Sequence, residues 1–163
     1  MIFVTVGTQL PFERLIKAVD DWAAANLEVP VIAQVGLTEY RPKHMTVVSK
    51  LDPDQYQLHF RQAQVVVSHV GMGTIISGIE AAKPLVLMPR LAEYGEHRND
   101  HQLGTAKKFR HIKSIQIVES AEELGQAITR ALVQGQNLEN SSINTSPMLL
   151  TRLKEFVQSI KTP

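Results

Sequence analysis

The chain alternates short, wholly apolar runs with longer segments in which apolar residues recur at helical spacing. Apolar runs that predict strands lie at residues 2–6, 31–35, 45–48, 64–68, 85–88 and 115–118. Segments that predict amphipathic helices lie at residues 12–25, 53–63, 73–82, 99–109 and 120–133. The pattern therefore predicts a protein in which strands and helices alternate along the chain.

Several helix ends are indicated by individual residues. Asp52 followed by Pro53 is typical of an N-cap with proline at the first helical position. Ser120 with Glu123 three residues later predicts a capping box. Pro84 predicts the end of the preceding helix, because the residue before a proline is disfavoured in the α region.

The C-terminal part of the chain differs in composition. Residues 134–147 are rich in Asn, Ser, Gln and Gly, which predicts a polar loop. Residues 148–160 carry apolar side chains at helical spacing and predict a last helix, which packs either on its own domain or on a partner. We therefore divide the chain into an α/β domain over residues 1–133, the loop at 134–147, and a C-terminal segment, residues 148–163, that contains this helix.

Short apolar strands that alternate with amphipathic helices favour a parallel sheet covered on both faces, which is a doubly wound, Rossmann-like α/β fold. In such sheets, ligands bind beyond the carboxyl ends of the strands. The residues that follow the predicted strands include Gly7, Thr8, Gly36, residues 68–74 and residues 89–102. The sequence therefore predicts a functional site at this edge of the sheet.

Composition narrows the class of protein. The chain has 163 residues, which suits one domain, and its 17 Lys and Arg against 16 Asp and Glu give a net charge of +1. So small a charge disfavours nucleic-acid binding. The lack of cysteine excludes disulfides, thiolate metal ligands and a thiol nucleophile. No apolar stretch approaches the roughly 20 residues that span a bilayer, and the first apolar run is too short for a signal peptide, so we expect a cytoplasmic protein.

The first candidate site is the segment at residues 68–74, SHVGMGT, which joins a strand directly to a helix. Its two glycines allow a ligand to approach the backbone, and the amides of Gly73, Thr74 and Ile75 at the helix N-terminus can donate to a diphosphate. The hydroxyl of Thr74 and the ring of His69 offer further donors. The third glycine of the dinucleotide fingerprint and the Gly-Lys of a P-loop are both absent. A tight turn in which His69 caps the helix is therefore the alternative.

The second candidate site is the polar loop at residues 89–102, which follows a buried strand. Loops of this length commonly carry function. The side-chain donors of His101 and Gln102 suit the hydroxyls of a sugar. The alternative is a solvated helix start capped by Asn99 or Asp100.

A metal site in this loop is a further alternative. His97 and His101 lie four residues apart, and Glu93 or Glu96 would complete a ligand set. A zincin-like motif places Glu directly after its first His, where this chain has Arg98. We therefore expect no metal.

The segment at residues 68–102, SHVGMGTIISGIEAAKPLVLMPRLAEYGEHRNDHQ, resembles the C-terminal domain of glycosyltransferase family 28, one half of a GT-B glycosyltransferase. The FVTVGT at residues 3–8, followed by Pro11 and Phe12, is similar to stand-alone catalytic subunits of two-subunit N-acetylglucosaminyltransferases and exopolysaccharide glucuronosyltransferases. The resemblance covers most of residues 1–133. It implies a GT-B C-terminal lobe that binds a UDP-sugar.

The resemblance also implies roles for particular residues. The expected diphosphate contacts are His69, Gly71, Gly73 and Thr74. The expected donor-sugar contacts are His101 and Gln102, and the residues expected to face the cleft are Gly7 and Thr8. A relative that builds peptidoglycan holds the ribose with an acidic residue, at a position that is Ser77 here, and Glu80 one helical turn further on is the substitute candidate.

The reaction implied by the resemblance is transfer of a sugar from a UDP donor to a hydroxyl of a lipid-linked acceptor, without a cofactor. The general base of a GT-B enzyme commonly belongs to the N-terminal half, so Glu96 and His97, with Glu93, are the catalytic candidates within this chain. A membrane-anchored, acceptor-binding glycosyltransferase subunit is the implied partner, and would hold the chain at the membrane periphery. The alternatives are a non-catalytic nucleotide-sugar-binding or regulatory module, and a hydrolase or epimerase.

Overall fold

A six-stranded, all-parallel sheet forms the centre of the protein in the computed structural model, which describes residues 1–140 and Glu155. The strands are β1 (Ile2–Thr5), β2 (Val31–Gln34), β3 (Thr46–Val48), β4 (Val65–His69), β5 (Leu85–Met88) and β6 (Ile115–Ile117). Each predicted strand is present, and its ends agree with the prediction to within one residue. Apart from Glu155, the helix predicted at residues 148–160 lies outside the described residues.

The described part of the chain contains five α-helices, of which four connect strands and the fifth follows β6. They are α1 (Glu13–Ala24), α2 (Pro53–Gln62), α3 (Met72–Glu80), α4 (His101–Phe109) and α5 (Ala121–Asn140). The cap predicted at Asp52 is confirmed, since its carboxylate accepts from the backbone N–H of Gln55 at 2.8 Å. A short 3₁₀ turn, Ala92–Tyr94, lies in the loop after β5.

One predicted boundary is wrong. Helix α5 continues to Asn140, past the predicted start of the polar loop at Gln134. A Cβ added to Gly135 would lie 3.4 Å from the backbone oxygen of Gln64. The helix therefore uses this glycine for close packing against the end of α2 and the start of β4, and does not end at it.

The strand order is β3-β2-β1-β4-β5-β6. Successive strands are added on one side of β1 up to β3 and on its other side from β4 onward, so the strand order reverses between β1 and β4. Val4 of β1 pairs with Ala33 on one side and with Val67 on the other. In an open α/β sheet, such a reversal leaves a crevice outside the carboxyl ends of the two central strands. The doubly wound fold is confirmed, and its crevice lies beyond Thr5 and His69.

The sheet has an apolar core on each face. On one face, Val4 and Val67 pack with α1 and α5, and on the other Phe3 and Val66 pack with α2, α3 and α4. Residues on both faces of the central strands are buried, which accounts for their uninterrupted apolar sequences. Among the described residues, no helix combines the length and apolarity needed to cross a bilayer.

Candidate functional site

The loops after β1 and β4 meet at the crevice, where the imidazole of His69 lies between two glycines. A Cβ added to Gly7 would lie 3.0 Å from Cε1 of His69, and one added to Gly71 would lie 2.5 Å from Nε2. Gly7 also has a φ of +79°, a left-handed conformation that side chains rarely adopt. Both glycines are therefore required by the position of the ring.

The N-terminus of α3 opens into the same crevice. Gly71 is its N-cap and makes no side-chain cap hydrogen bond. A Cβ added to Gly73 would have no described atom within 4 Å outside its own stretch of helix, so the space beside Gly73 is open. The amide of Ile75, a predicted phosphate donor, instead donates to the carbonyl of Gly71 at 3.1 Å. The amides available to an anion are therefore those of the first turn, at Gly73 and Thr74.

A cleft of about 330 Å³ lies at this helix end and is lined by Tyr56, His69, Gly71, Gly73, Thr74 and Ser77. The structure thus brings together the predicted diphosphate residues and one of the two ribose candidates. Ser77 lines the cleft, whereas the exposed Glu80 does not. Their roles toward a ligand stay predictions.

Tyr56 was not predicted as a site residue. It projects from the first turn of α2, and its hydroxyl hydrogen-bonds to the side chain of Thr74. Burial raises the pKa of Tyr56, and the bond from Thr74 partly opposes that change. In the sequence, Tyr56 appears only as one more apolar position on a helix, so no local signal could have identified it.

His69 is held by the two strands beneath it. Its Nδ1 lies 3.3 Å from Oγ of the buried Ser68, which donates to the carbonyl of Thr5 at 2.8 Å. Burial, together with the nearby charges of Arg90 and His97, lowers the pKa of His69 to about 4, although the carbonyl of Thr5 acts to raise it. The ring is therefore neutral at pH 7.

Arg90 organises the loop after β1 and was also missed by sequence reasoning. Its guanidinium is buried and donates to the carbonyls of Val6 at 2.6 Å, Leu10 at 2.8 Å, Pro11 at 2.7 Å and Glu96 at 3.2 Å. It also stacks 4.7 Å from the ring centroid of Phe12. Burial lowers the pKa of Arg90 to about 10, and the charge of Glu96 opposes the change. The loop that carries Gly7 and Thr8 is therefore built around this side chain, with Thr8 itself exposed.

Glu96, a predicted catalytic residue, has a structural role here. It is buried, and its two carboxylate oxygens accept from Nε and Nη2 of Arg14, each at 2.8 Å. The amide of Leu91 donates to the same carboxylate at 2.9 Å. These contacts join α1 to the loop after β5. A carboxylate so occupied is poorly placed as a general base, and Glu93 is exposed.

Gln102 is buried and bridges two loops. Its side-chain oxygen accepts from the amides of Val70 at 3.2 Å and Arg90 at 3.0 Å, so only its amide nitrogen is left for a ligand. A second cleft beside it is lined by Val70, Met72, His97, Asp100, His101, Gln102, Gly104, Thr105, Lys108 and Phe109. The two predicted sugar residues therefore share a cleft with His97, next to the turn that holds His69.

Helix α4 begins two residues later than predicted. The helix begins at His101, and the side chain of Asn99 accepts from the amide of His101 at 3.0 Å. Asp100 instead binds the amide of Ala92 at 2.9 Å, across the loop. Among the residues that the structure describes, no three His, Asp or Glu side chains converge to hold a metal ion.

Comparison with known proteins gives a family match and several structural neighbours. Residues 1–161 match the glycosyltransferase family 28 C-terminal domain. No curated protein sequence matches the chain significantly.

Three solved structures illustrate the likeness. The glycosyltransferase of kitacinnamycin has a TM-score of 0.62 at 16% identity, over 96% of this chain and 38% of that one. ALG13 has a TM-score of 0.57 at 18% identity, over 80% of this chain and 83% of that one. Os79 from O. sativa, solved in complex with UDP, has a TM-score of 0.58 at 18% identity, over 85% of this chain and 33% of that one. At these identities the likeness shows a shared fold, and the chain spans well under half of the two larger proteins.

Proposed function

Because the chain belongs to the glycosyltransferase family 28 C-terminal domain family, we propose that it is the donor-binding half of a two-part glycosyltransferase. It binds a UDP-sugar, and a membrane-anchored partner supplies a lipid-linked acceptor and the other wall of the active site. The partner holds this chain at the cytoplasmic face of the membrane. No cofactor takes part.

The observation that carries the proposal is the crevice at the strand reversal. It combines an N-terminus without a side-chain cap, open space at Gly73, and an imidazole packed between Gly7 and Gly71. Helix N-termini stabilise anions through their free amides and the helix dipole. UDP, which the neighbour Os79 binds in its crystal structure, is a ligand of this kind.

In the proposed reaction, the acceptor hydroxyl attacks the anomeric carbon of the donor sugar. The bond from that carbon to the diphosphate oxygen breaks, and its electron pair leaves with UDP. The amides of Gly73 and Thr74 stabilise the charge that develops on the diphosphate, as preorganised donors do in other enzymes. Gln102 and His101 contact the sugar from the neighbouring cleft, and Ser77 lies toward the ribose.

The proton of the acceptor hydroxyl must go to a base. His97 is the proposed base within this chain, since Glu96 is occupied by Arg14. It is half-buried and lines the cleft of His101 and Gln102. A base from the partner is the competing assignment, and replacing His97 with Gln in the assembled enzyme distinguishes the two.

The described residues form a single lobe around one sheet. The chain spans 83% of ALG13 and 38% of the kitacinnamycin glycosyltransferase. A single lobe leaves its cleft open to water, whereas two lobes exclude water and orient the acceptor. We therefore expect the isolated chain to bind donor weakly and to transfer little.

The test is co-expression with a membrane-anchored acceptor subunit, followed by comparison of the transfer rates of the purified complex and the chain alone. Transfer only by the complex supports the proposal. Equal rates would make the chain a self-sufficient enzyme. UDP-sugar binding without transfer by the complex would indicate a regulatory module, and turnover of donor without acceptor would indicate a hydrolase.

A further inference from the structure

Ser68 stands between the carbonyl of Thr5 and the ring of His69, and its single proton can serve only one of them. The side chain is completely buried, and its Oγ lies 2.8 Å from the carbonyl oxygen of Thr5, which can only accept. The hydroxyl proton is therefore committed to Thr5. The second contact, from Oγ of Ser68 to Nδ1 of His69 at 3.3 Å, then requires the proton on Nδ1.

The opposite nitrogen of the ring lies against Gly71, which lines the cleft together with the ring. In a neutral imidazole, a proton on Nδ1 leaves Nε2 with a lone pair. Nε2 is the ring atom nearest to the position that a Cβ on Gly71 would occupy, and His69 lines the cleft with Gly73 and Thr74. No described residue donates a hydrogen bond to it. The ring of His69 was predicted to donate a hydrogen bond to the diphosphate, but in this tautomer its Nε2 is a hydrogen-bond acceptor.

The groups around the His69 ring favour its neutral form when the cleft holds no ligand. Arg90 from the loop after β5 and His97 from the same loop carry or can carry positive charge. From α2 and α3, the cleft receives the hydroxyls of Tyr56 and Thr74, and the residues facing the ring from the loop after β1 carry no titratable group. No carboxylate among the described residues lines the cleft. A diphosphate would thus bring the first negative charge to Nε2.

We propose that Ser68 and Thr5 hold His69 in the Nδ1–H tautomer, and that binding of the donor diphosphate is coupled to uptake of one proton at Nε2. The proton comes from solvent, adds to the lone pair, and converts the neutral ring into an imidazolium that donates to a diphosphate oxygen. When the glycosidic bond breaks, this cation faces the charge on UDP. The inference rests on the proposed function, because it names His69 as the proton site of donor binding.

The tautomer is measured directly in the ligand-free chain from the ¹⁵N chemical shifts of the His69 ring at pH 7. A protonated Nδ1 and an unprotonated Nε2 are expected. The Ser68→Ala variant should show a mixture of tautomers, and Ser68→Thr, which keeps the hydroxyl, should restore the parent pattern. A protonated Nε2 in the parent chain would overturn the proposal. If the ¹⁵N chemical shifts of the His69 ring are the same in Ser68→Ala, Ser68 does not set the tautomer.

Proton uptake is measured by titrating UDP-N-acetylglucosamine calorimetrically in two buffers of different ionisation enthalpy. The esterified diphosphate does not itself titrate near neutral pH. Uptake close to one proton per donor is expected, and the affinity should rise by up to tenfold for each unit by which the pH is lowered toward 4. His69→Asn, which keeps a group near Nδ1 and removes Nε2, should abolish the uptake, whereas His97→Asn should retain it.

The two proposals fail in different ways. Donor binding whose heat is the same in both buffers would overturn the coupling and leave the proposed function standing. A complete lack of donor binding, by the chain and by its complex, would contradict the proposed function and the coupling with it. Retained uptake in His69→Asn would assign the proton to another group and overturn the inference.

Discussion

The side-chain oxygen of Gln102 accepts a hydrogen bond from the backbone amide of Arg90 at 3.0 Å. The same oxygen accepts from the amide of Val70 at 3.2 Å. Because Val70 follows β4 and Arg90 follows β5, one side chain from α4 sets the spacing of the loops after these two strands. The oxygen of the Gln102 amide is therefore occupied within the protein, and only the nitrogen is left for the proposed sugar contact.

Replacing Gln102 with Ala should affect stability and specificity together. Two buried amides lose their acceptor, so we expect the free energy of unfolding to fall by about 1–3 kcal/mol, as measured by urea denaturation. Discrimination among UDP-sugars should fall more than affinity for UDP. Lys107→Ala, at an exposed position on the same helix, should change neither. Equal losses of affinity for UDP-sugars and for UDP would show that Gln102 does not contact the sugar.

Replacing Gly73 with Val should weaken UDP binding in a chain that remains folded. A Cβ at this position meets no described atom within 4 Å outside its own stretch of helix, so the valine side chain extends into the space proposed for the diphosphate. Gly104→Val is a matched control for the diphosphate contact, because that glycine also lies in a helix with open space beside it but lines the second cleft and not the first. Calorimetric titration with UDP compares the two. Unchanged affinity in a folded Gly73→Val chain would place the diphosphate elsewhere.

Arg14 and Glu96 should behave as an energetically coupled pair. The side chain of Glu96 is 8% exposed and that of Arg14 is 23% exposed, so both are partly shielded from water. We expect Glu96→Gln and Arg14→Met each to lower the free energy of unfolding by about 1–3 kcal/mol, with a double mutant well short of the sum. Additive losses in urea denaturation would show that the pair is not coupled. Lys17→Met, which removes the exposed pair with Asp21, serves as the control.

The pair of Asp20 and Tyr40 should make stability depend on pH at both extremes. Burial acts to raise the pKa of Asp20, but hydrogen bonds from the amide of His44, the hydroxyl of Tyr40 and the amide of Lys43 outweigh it and lower the pKa. This stabilisation is complete above the ordinary pKa of about 4 and is lost as the pH falls through the lowered value.

At alkaline pH the same bond acts through Tyr40. The hydrogen bond to Asp20 raises the pKa of Tyr40 to about 12. Its stabilisation is present below the ordinary value of about 10 and is lost as the pH rises through 12. In Tyr40→Phe, the free energy of unfolding, measured by denaturant titration, should therefore depend less on pH between about pH 10 and pH 12. Tyr94→Phe, at an exposed position, should leave this pH dependence unchanged. A parent curve that is already flat there would contradict the assignment.

The fold could be predicted because it depends on local patterns that are repeated along the chain. Apolar runs such as residues 85–88 are strands because they are buried on both faces, and the spacing of Leu15, Ile16 and Val19 forms the buried stripe of α1. The caps at Asp52 and the turn at residues 68–74 are likewise short-range features. The end of α5 could not be predicted, since Gly135 ends or continues a helix according to what packs against it.

The sequence by itself determined the strand and helix order, the edge of the sheet that holds the candidate site, and the glycines and imidazole of the crevice, because each is encoded within a few neighbouring residues. Only the tertiary structure decided what Arg90, Tyr56, Gln102 and Glu96 do. Glu96 pairs with Arg14 across 82 positions of the chain, and Arg90 donates to the carbonyl of Val6 across 84. Contacts so distant in sequence arise when parallel strands bring their carboxyl ends to one edge, and no local pattern records which side chains then meet.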